Sequence, residues 1–98
     1  MKGSTKVLRV LNQALTEELS SINQYMVQAE MCDDWGYDRL HGSLEKQAMD
    51  EMHHAEWLIQ RIIFLDGAPN VFKLNPFKIG NDVKAMLAEN HKHELEAV

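Results

Sequence analysis

Ninety-eight residues at 45% hydrophobic and 26% charged describe one globular domain with room for a real core. A formal net charge of −5 without any basic cluster excludes a general nucleic-acid binder, and no apolar run approaches the ~20 residues of a membrane span. Two prolines and five glycines leave room for long helices.

The first predicted helix runs from about Ser4 to Asp33. Leu8, Leu11, Leu15, Glu18, Ile22, Tyr25 and Ala29 step by threes and fours, which lays them along one face. Ser4 or Thr5 can cap its start. Asp33-Asp34-Trp35-Gly36 interrupts the pattern, and Gly36 suits the left-handed conformation at a helix end. The second helix runs from about Asp38 to Leu65, with Leu40, Leu44, Ala48, Glu51, Ala55, Leu58, Ile62 and Leu65 as its main stripe. Asp66-Gly67 followed by Pro69 reads as a stop with glycine at the C-cap. Two helices of ~40 Å joined by a short turn pack as antiparallel neighbours.

Residues 67–80 form a linker that is long for a tight connection. Its Val71, Phe72, Leu74, Phe77 and Ile79 predict that it packs on the helices while crossing between two helix pairs. A third helix is expected from about Asp82, after a cap at Asn81 or Asp82, with Val83, Leu87, Asn90, Glu94 and Val98 as a weaker stripe. That pattern is still running at Val98, as though cut within the helix. No internal repeat or low-complexity segment is present. Met1 to Lys6 lacks the apolar core of a signal peptide, so a cytoplasmic location is expected. Cys32, the single cysteine, is then a free thiol in a reducing compartment.

The chemistry concentrates on polar residues in apolar stripes. Glu51 and His54 stand three apart and project from nearly the same side of a helix. Neither belongs in an apolar interior uncompensated. Glu18 lies about 18 residues before the turn at Gly36, and Glu51 and His54 lie about 15 and 18 after it, so the three should meet at one level of a hairpin. Clustered buried carboxylates repel one another, and a divalent cation offsets that cost. Oxygen donors plus one imidazole suit iron or manganese, with zinc a further candidate; the lack of nearby cysteine argues against a thiolate zinc site. The competing reading is a hydrogen-bonded Glu51–His54 pair at a subunit contact. Glu94, on the third stripe, adds weight to the metal. His53 points about 100° away from His54 and is left out; His41, His91 and His93 are assigned to solvent.

The second helix carries another apolar line, Met49, Met52, Ile59 and Ile63, interrupted by Glu56. Two apolar sides predict a partner helix and hence an oligomer. By periodicity Met52 reads first as packing filler, and its thioether is also a soft axial ligand for haem iron.

The residues carry a resemblance along essentially the whole chain. Met1-Lys2-Gly3, Leu11-Asn12, Glu18-Leu19, Ile22-Asn23-Gln24-Tyr25, Trp35-Gly36, Asp50-Glu51-Met52 with His54-Ala55, Arg61-Ile62, Phe64-Leu65 before Gly67, Pro69-Asn70, Gly80 and Glu94-Leu95 match bacterioferritins. The chain thus resembles the haem-containing branch of the ferritin-like iron-storage proteins. That resemblance implies an all-α, ferritin-like four-helix bundle with a di-iron ferroxidase centre. Such centres are known to take a Glu from each of two helices and a Glu-x-x-His from each of two others. It implies that Glu18 is a terminal ligand of one iron, His54 its nitrogen ligand, Glu51 a bridge and Glu94 a terminal ligand of the second iron. It also implies that Met52, with its symmetry mate, ligates haem b between two subunits, and that Tyr25 packs beside the irons. The implied activity is oxidation of Fe(II) by dioxygen or peroxide, with ferric mineral held in a shell of 24 subunits. The sequence departs from the pattern in one respect: the helix with the second Glu-x-x-His, and the short C-terminal helix after it, are absent. Four of six ligands are present, so a truncated subunit or a second chain supplying the missing half is expected. Two further readings are a haem-binding or co-assembling structural subunit without ferroxidase turnover, and a rubrerythrin-type di-iron protein. Met52 and the missing cysteine-pair module weigh against the last.

Overall fold

In the computed structural model, residues 2–76 and 82–97 are described, with side chains described as far as residue 90. They form three helices and no strand: α1, Thr5–Asp34; α2, Asp38–Phe64; and α3, Val83–Ala97. The body is a rod of 49 × 20 × 20 Å, the shape expected when two long helices lie side by side. No helix among the described residues is long and apolar enough to cross a membrane.

Local chemistry sets the helix ends. The Ser4 hydroxyl accepts from the Val7 amide at 3.1 Å, satisfying one of the free donors at the start of α1. At the far end, Tyr37 and Gly36 amides return to the Cys32 and Asp33 carbonyls, with Gly36 at φ 85°. This six-to-one and five-to-two pairing needs a left-handed residue, and glycine adopts it without a Cβ penalty. The same pairing closes α2, where Gly67 and Asp66 amides return to Ile62 and Ile63. Here the left-handed residue is Asp66, at φ 61°, and not the expected Gly67. Gly67 is small for another reason: a Cβ there would lie 2.5 Å from Leu8 Cδ2. The Asp82 carboxylate caps α3 by accepting from the Ala85 amide at 2.8 Å.

α1 and α2 are antiparallel. The Gly3 amide donates to the Leu65 carbonyl at 2.9 Å, tying the start of α1 to the end of α2. Their interface holds two apolar clusters. Leu15, Ile22, Ala55, Leu58 and Ile62 fill the open end. Tyr25, Ala29, Cys32, Leu44, Ala48 and Met86 fill the end nearest the turn. Met86 brings α3 into this second cluster, its sulfur 3.7 Å from Cys32 Sγ, and Gln24 Nε2 donates to Asn90 Oδ1 at 2.7 Å. α3 therefore runs antiparallel to α1, and residues 68–75 run beside α1 from Asn12 to Ser20.

Two expectations are corrected. The described apolar residues of the linker do not pack inward: Phe72 is 93% exposed, and Val71 and Leu74 are also exposed. Polar bonds hold the segment instead. Asn12 accepts from the Asn70 amide and donates to the Ala68 carbonyl, and Ser20 Oγ accepts from the Asn75 amide. Phe77 and Ile79 lie outside the described residues. On α3, Leu87 is exposed, and Met86 and Asn90 take the buried positions. Asn90 is buried as its place on the stripe predicts, whereas Leu87 stands ~100° round the helix from Met86, which takes the apolar contact expected of it.

Candidate metal centre

Where the open-end cluster nears the middle of the hairpin, the α1–α2 interface changes character. Glu18, on α1 between Leu15 and Ile22, faces Glu51 and His54 on α2. His54 Nδ1 lies 3.6 Å from Glu18 Oε2 and 3.6 Å from Glu51 Oε2. One donor atom from each of the three residues falls within 4.8 Å of the others. The antiparallel register is what unites them, since Glu18 and His54 are 36 positions apart in the chain.

Exposure grades across the group. The side chain of Glu51 is 11% exposed and that of Glu18 26%, whereas His54 is 62% exposed. The carboxylates thus stand inside the helix pair, with the imidazole at its rim. Gln47, one turn before Glu51, donates from Nε2 to Glu51 Oε1 at 3.1 Å. That bond fixes one carboxylate oxygen and leaves the other turned toward Glu18 and His54, the support expected for a ligating carboxylate. Sequence reading overlooked Gln47, although its i,i+4 relation to Glu51 was the available signal.

The remaining expected residues are placed as follows. Met52 is exposed on α2, at 44%, and so are Met49 and Ile63; Ile59, the fourth residue of that predicted line, is half-buried against the open-end cluster. His53 is exposed and takes no part in the group. Tyr25 is buried in the turn-end core. Glu94 belongs to α3, one turn beyond Asn90, and its side chain lies outside the described residues, as do those of His91 and His93. His41 is not simply solvated: it is part-buried, with Nδ1 2.8 Å from the Ala29 carbonyl. Cys32 is buried and unbridged, and desolvation pushes its thiol pKa up, which keeps it protonated and unreactive.

Residues 8–98 match the family model described as the ferritin-like domain. The chain belongs to that family. Within the ferritin-like family it is similar to a bacterioferritin of Brucella melitensis, at 44% identity over 97 residues, covering 99% of this chain and 60% of the relative. It is also similar to a bacterial ferritin of Paramagnetospirillum magnetotacticum, at 39% identity over all 98 residues and 60% of that protein. A bacterioferritin of Mycolicibacterium paratuberculosis is likewise 39% identical over 98 residues, 62% of its length. The chain thus spans about three-fifths of the length of these curated relatives.

Proposed function

We propose that this chain serves iron storage and detoxification, taking Fe(II) as substrate at a centre built from Glu18, Glu51, His54 and Glu94. The observation that carries the reading is the convergence of Glu18, Glu51 and His54 within 4.8 Å across two helices. Two carboxylates held that close repel, and a dication between them offsets the repulsion while the imidazole adds a nitrogen donor. Oxygen donors of this kind favour the higher charge of Fe(III), so the site promotes loss of an electron to dioxygen or peroxide. Glu51, with one oxygen held by Gln47, is the candidate bridge between two irons. Glu94 would bring a further carboxylate from α3, and the ligands beyond these four would come from chain outside these 98 residues or from a second chain.

The family resemblance extends the proposal to the assembly: a cytoplasmic homo-oligomer, a shell of 24 subunits, with haem b between paired subunits. The exposed line of Met49, Met52 and Ile63 supports a subunit contact there. Met52 presents a thioether, a soft axial donor suited to haem iron. Haem supplies one-electron redox chemistry when bound.

Anaerobic Fe(II) titration followed by rapid mixing with dioxygen tests the reading. Two irons per centre and fast oxidation are expected, lost in Glu18→Ala and His54→Ala; wild-type rates in either variant would sink it. The exposed flank alone favours a second reading, a haem-binding or co-assembling subunit without turnover of its own. In that case no stoichiometric iron binds, while haem still does. A bis-thioether haem spectrum that survives Met52→Leu overturns the axial role in both readings.

A further inference from the structure

The closed end of the hairpin carries a second gathering of metal-binding side chains. Glu30 lies near the end of α1, and His41 and Glu45 occupy the first turns of α2. Their donor atoms also lie within 4.8 Å of one another. Glu30 is 12 residues beyond Glu18, roughly 18 Å along α1, so this group is distinct from the centre described above.

We propose that Glu30, His41 and Glu45 form a surface site for a borderline transition-metal dication such as zinc, cobalt or ferrous iron. The deciding observation lies outside the three residues. His41 Nδ1 is 2.8 Å from the Ala29 carbonyl, which can only accept. In the neutral ring the proton therefore sits on Nδ1, and the Nε2 lone pair is the free donor. Nε2 is turned to the Glu45 carboxylate, 3.5 Å from its Oε2. Metal-ligating histidines are oriented in this way, the second nitrogen donating to a carbonyl or carboxylate so that tautomer and ring plane are set before the metal arrives. Because Ala29 is on α1 and His41 on α2, the fold itself fixes the donor.

Electrostatics favour a cation here. Glu45, Asp33 and Glu30 act on the ring, and the C-terminal end of α1 adds its partial negative charge. The imidazole selects against magnesium and calcium, which prefer all-oxygen sites. Glu30 and Glu45 are exposed, so water completes the coordination sphere. The site is then a solvent-facing one for exchangeable metal, independent of whether the iron-oxidation reading holds.

Zinc is the probe, and the full chain carrying Glu18→Ala and His54→Ala is the background, so that the interior group is removed. Calorimetry should give one zinc per chain, and the NMR resonance of the His41 Cε1 proton should shift on zinc addition at constant pH. Adding Glu30→Gln and Glu45→Gln leaves the His41–Ala29 bond in place and should weaken zinc at least tenfold. Zinc binding unchanged by those two substitutions places the metal on other histidines and overturns the proposal. A His41 resonance that responds to pH but not to zinc also overturns it, leaving only a protonated imidazole paired with carboxylates.

Discussion

The interior group of Glu18, Glu51 and His54 and the surface group of Glu30, His41 and Glu45 hold the same donors, two carboxylates and an imidazole, within the same 4.8 Å. They differ in which partner is fixed. In the interior group the structure braces a carboxylate: Gln47 holds Glu51, and His54 stands at the rim, 62% exposed. In the surface group it braces the imidazole: Ala29 holds His41, whose side chain is 23% exposed, and Glu45 is free to move at 64%. Burial explains the contrast. Two partly desolvated carboxylates need a cation far more than two solvated ones do, because water screens the latter. The interior group is thus suited to hold metal firmly, and the surface group to exchange it.

The largest test of that contrast is Glu51→Ala. It removes the central interior carboxylate and should weaken metal there by more than about 100-fold, given that loss of a mere supporting partner costs about 10–100-fold. Zinc at the surface group should be unchanged in the same variant; parallel losses at both would erase the distinction. Next in size, Ile62→Ala should cost about 2–5 kcal/mol in denaturant unfolding, since Ile62 is 0% exposed in the cluster beside the interior group. A loss well under 1 kcal/mol would mean that this end of the hairpin is loosely packed and cannot hold carboxylates rigidly. Gln47→Ala should weaken interior metal by about 10-fold or somewhat more while leaving the fold intact, read by calorimetry. No change in affinity would show that Glu51 needs no brace.

The smallest effect concerns pH. The Ala29 carbonyl raises the pKa of His41 above its ordinary value; burial opposes this, and Glu45, Asp33 and Glu30 add to it. A group with a raised pKa in the folded state contributes stability that is fully present below its unfolded value, about 6.5, and is lost as pH rises through the folded value. The stability difference between the wild type and His41→Ala should therefore shrink on going from mildly acid pH to alkaline pH. A difference that grows with pH has the wrong sign and breaks the account. Saturating zinc should reverse the trend, because metal displaces the proton in the folded state alone, and stability then rises with pH.

Much of this was legible from spacing. The stripe from Leu8 to Ala29 and that from Leu40 to Leu65 give two long helices, and Gly36 gives the turn between them. Counting residues from that turn brings Glu18 level with Glu51 and His54, because an antiparallel hairpin of regular helices converts sequence distance into height. Regular repetition also explains what was misread. On the short α3 the stripe holds at Asn90, but the buried apolar residue is Met86 and not Leu87, a choice that so few apolar residues do not define. The linker was read through its apolar residues, yet Asn12 and Ser20 hold it by hydrogen bonds to its backbone. Such bonds depend on where two distant segments meet and leave no periodic trace.

The all-α hairpin, the level of the carboxylate–histidine group and the second apolar flank of α2 each follow from the fixed rise and turn of a helix. Packing in three dimensions sets which nitrogen of His41 is free, which oxygen of Glu51 is held, and that Asp66 rather than Gly67 takes the left-handed turn. Those choices rest on single hydrogen bonds and on a close approach of Leu8 to Gly67. They are fixed by the distance between elements, and a one-dimensional pattern does not contain that distance.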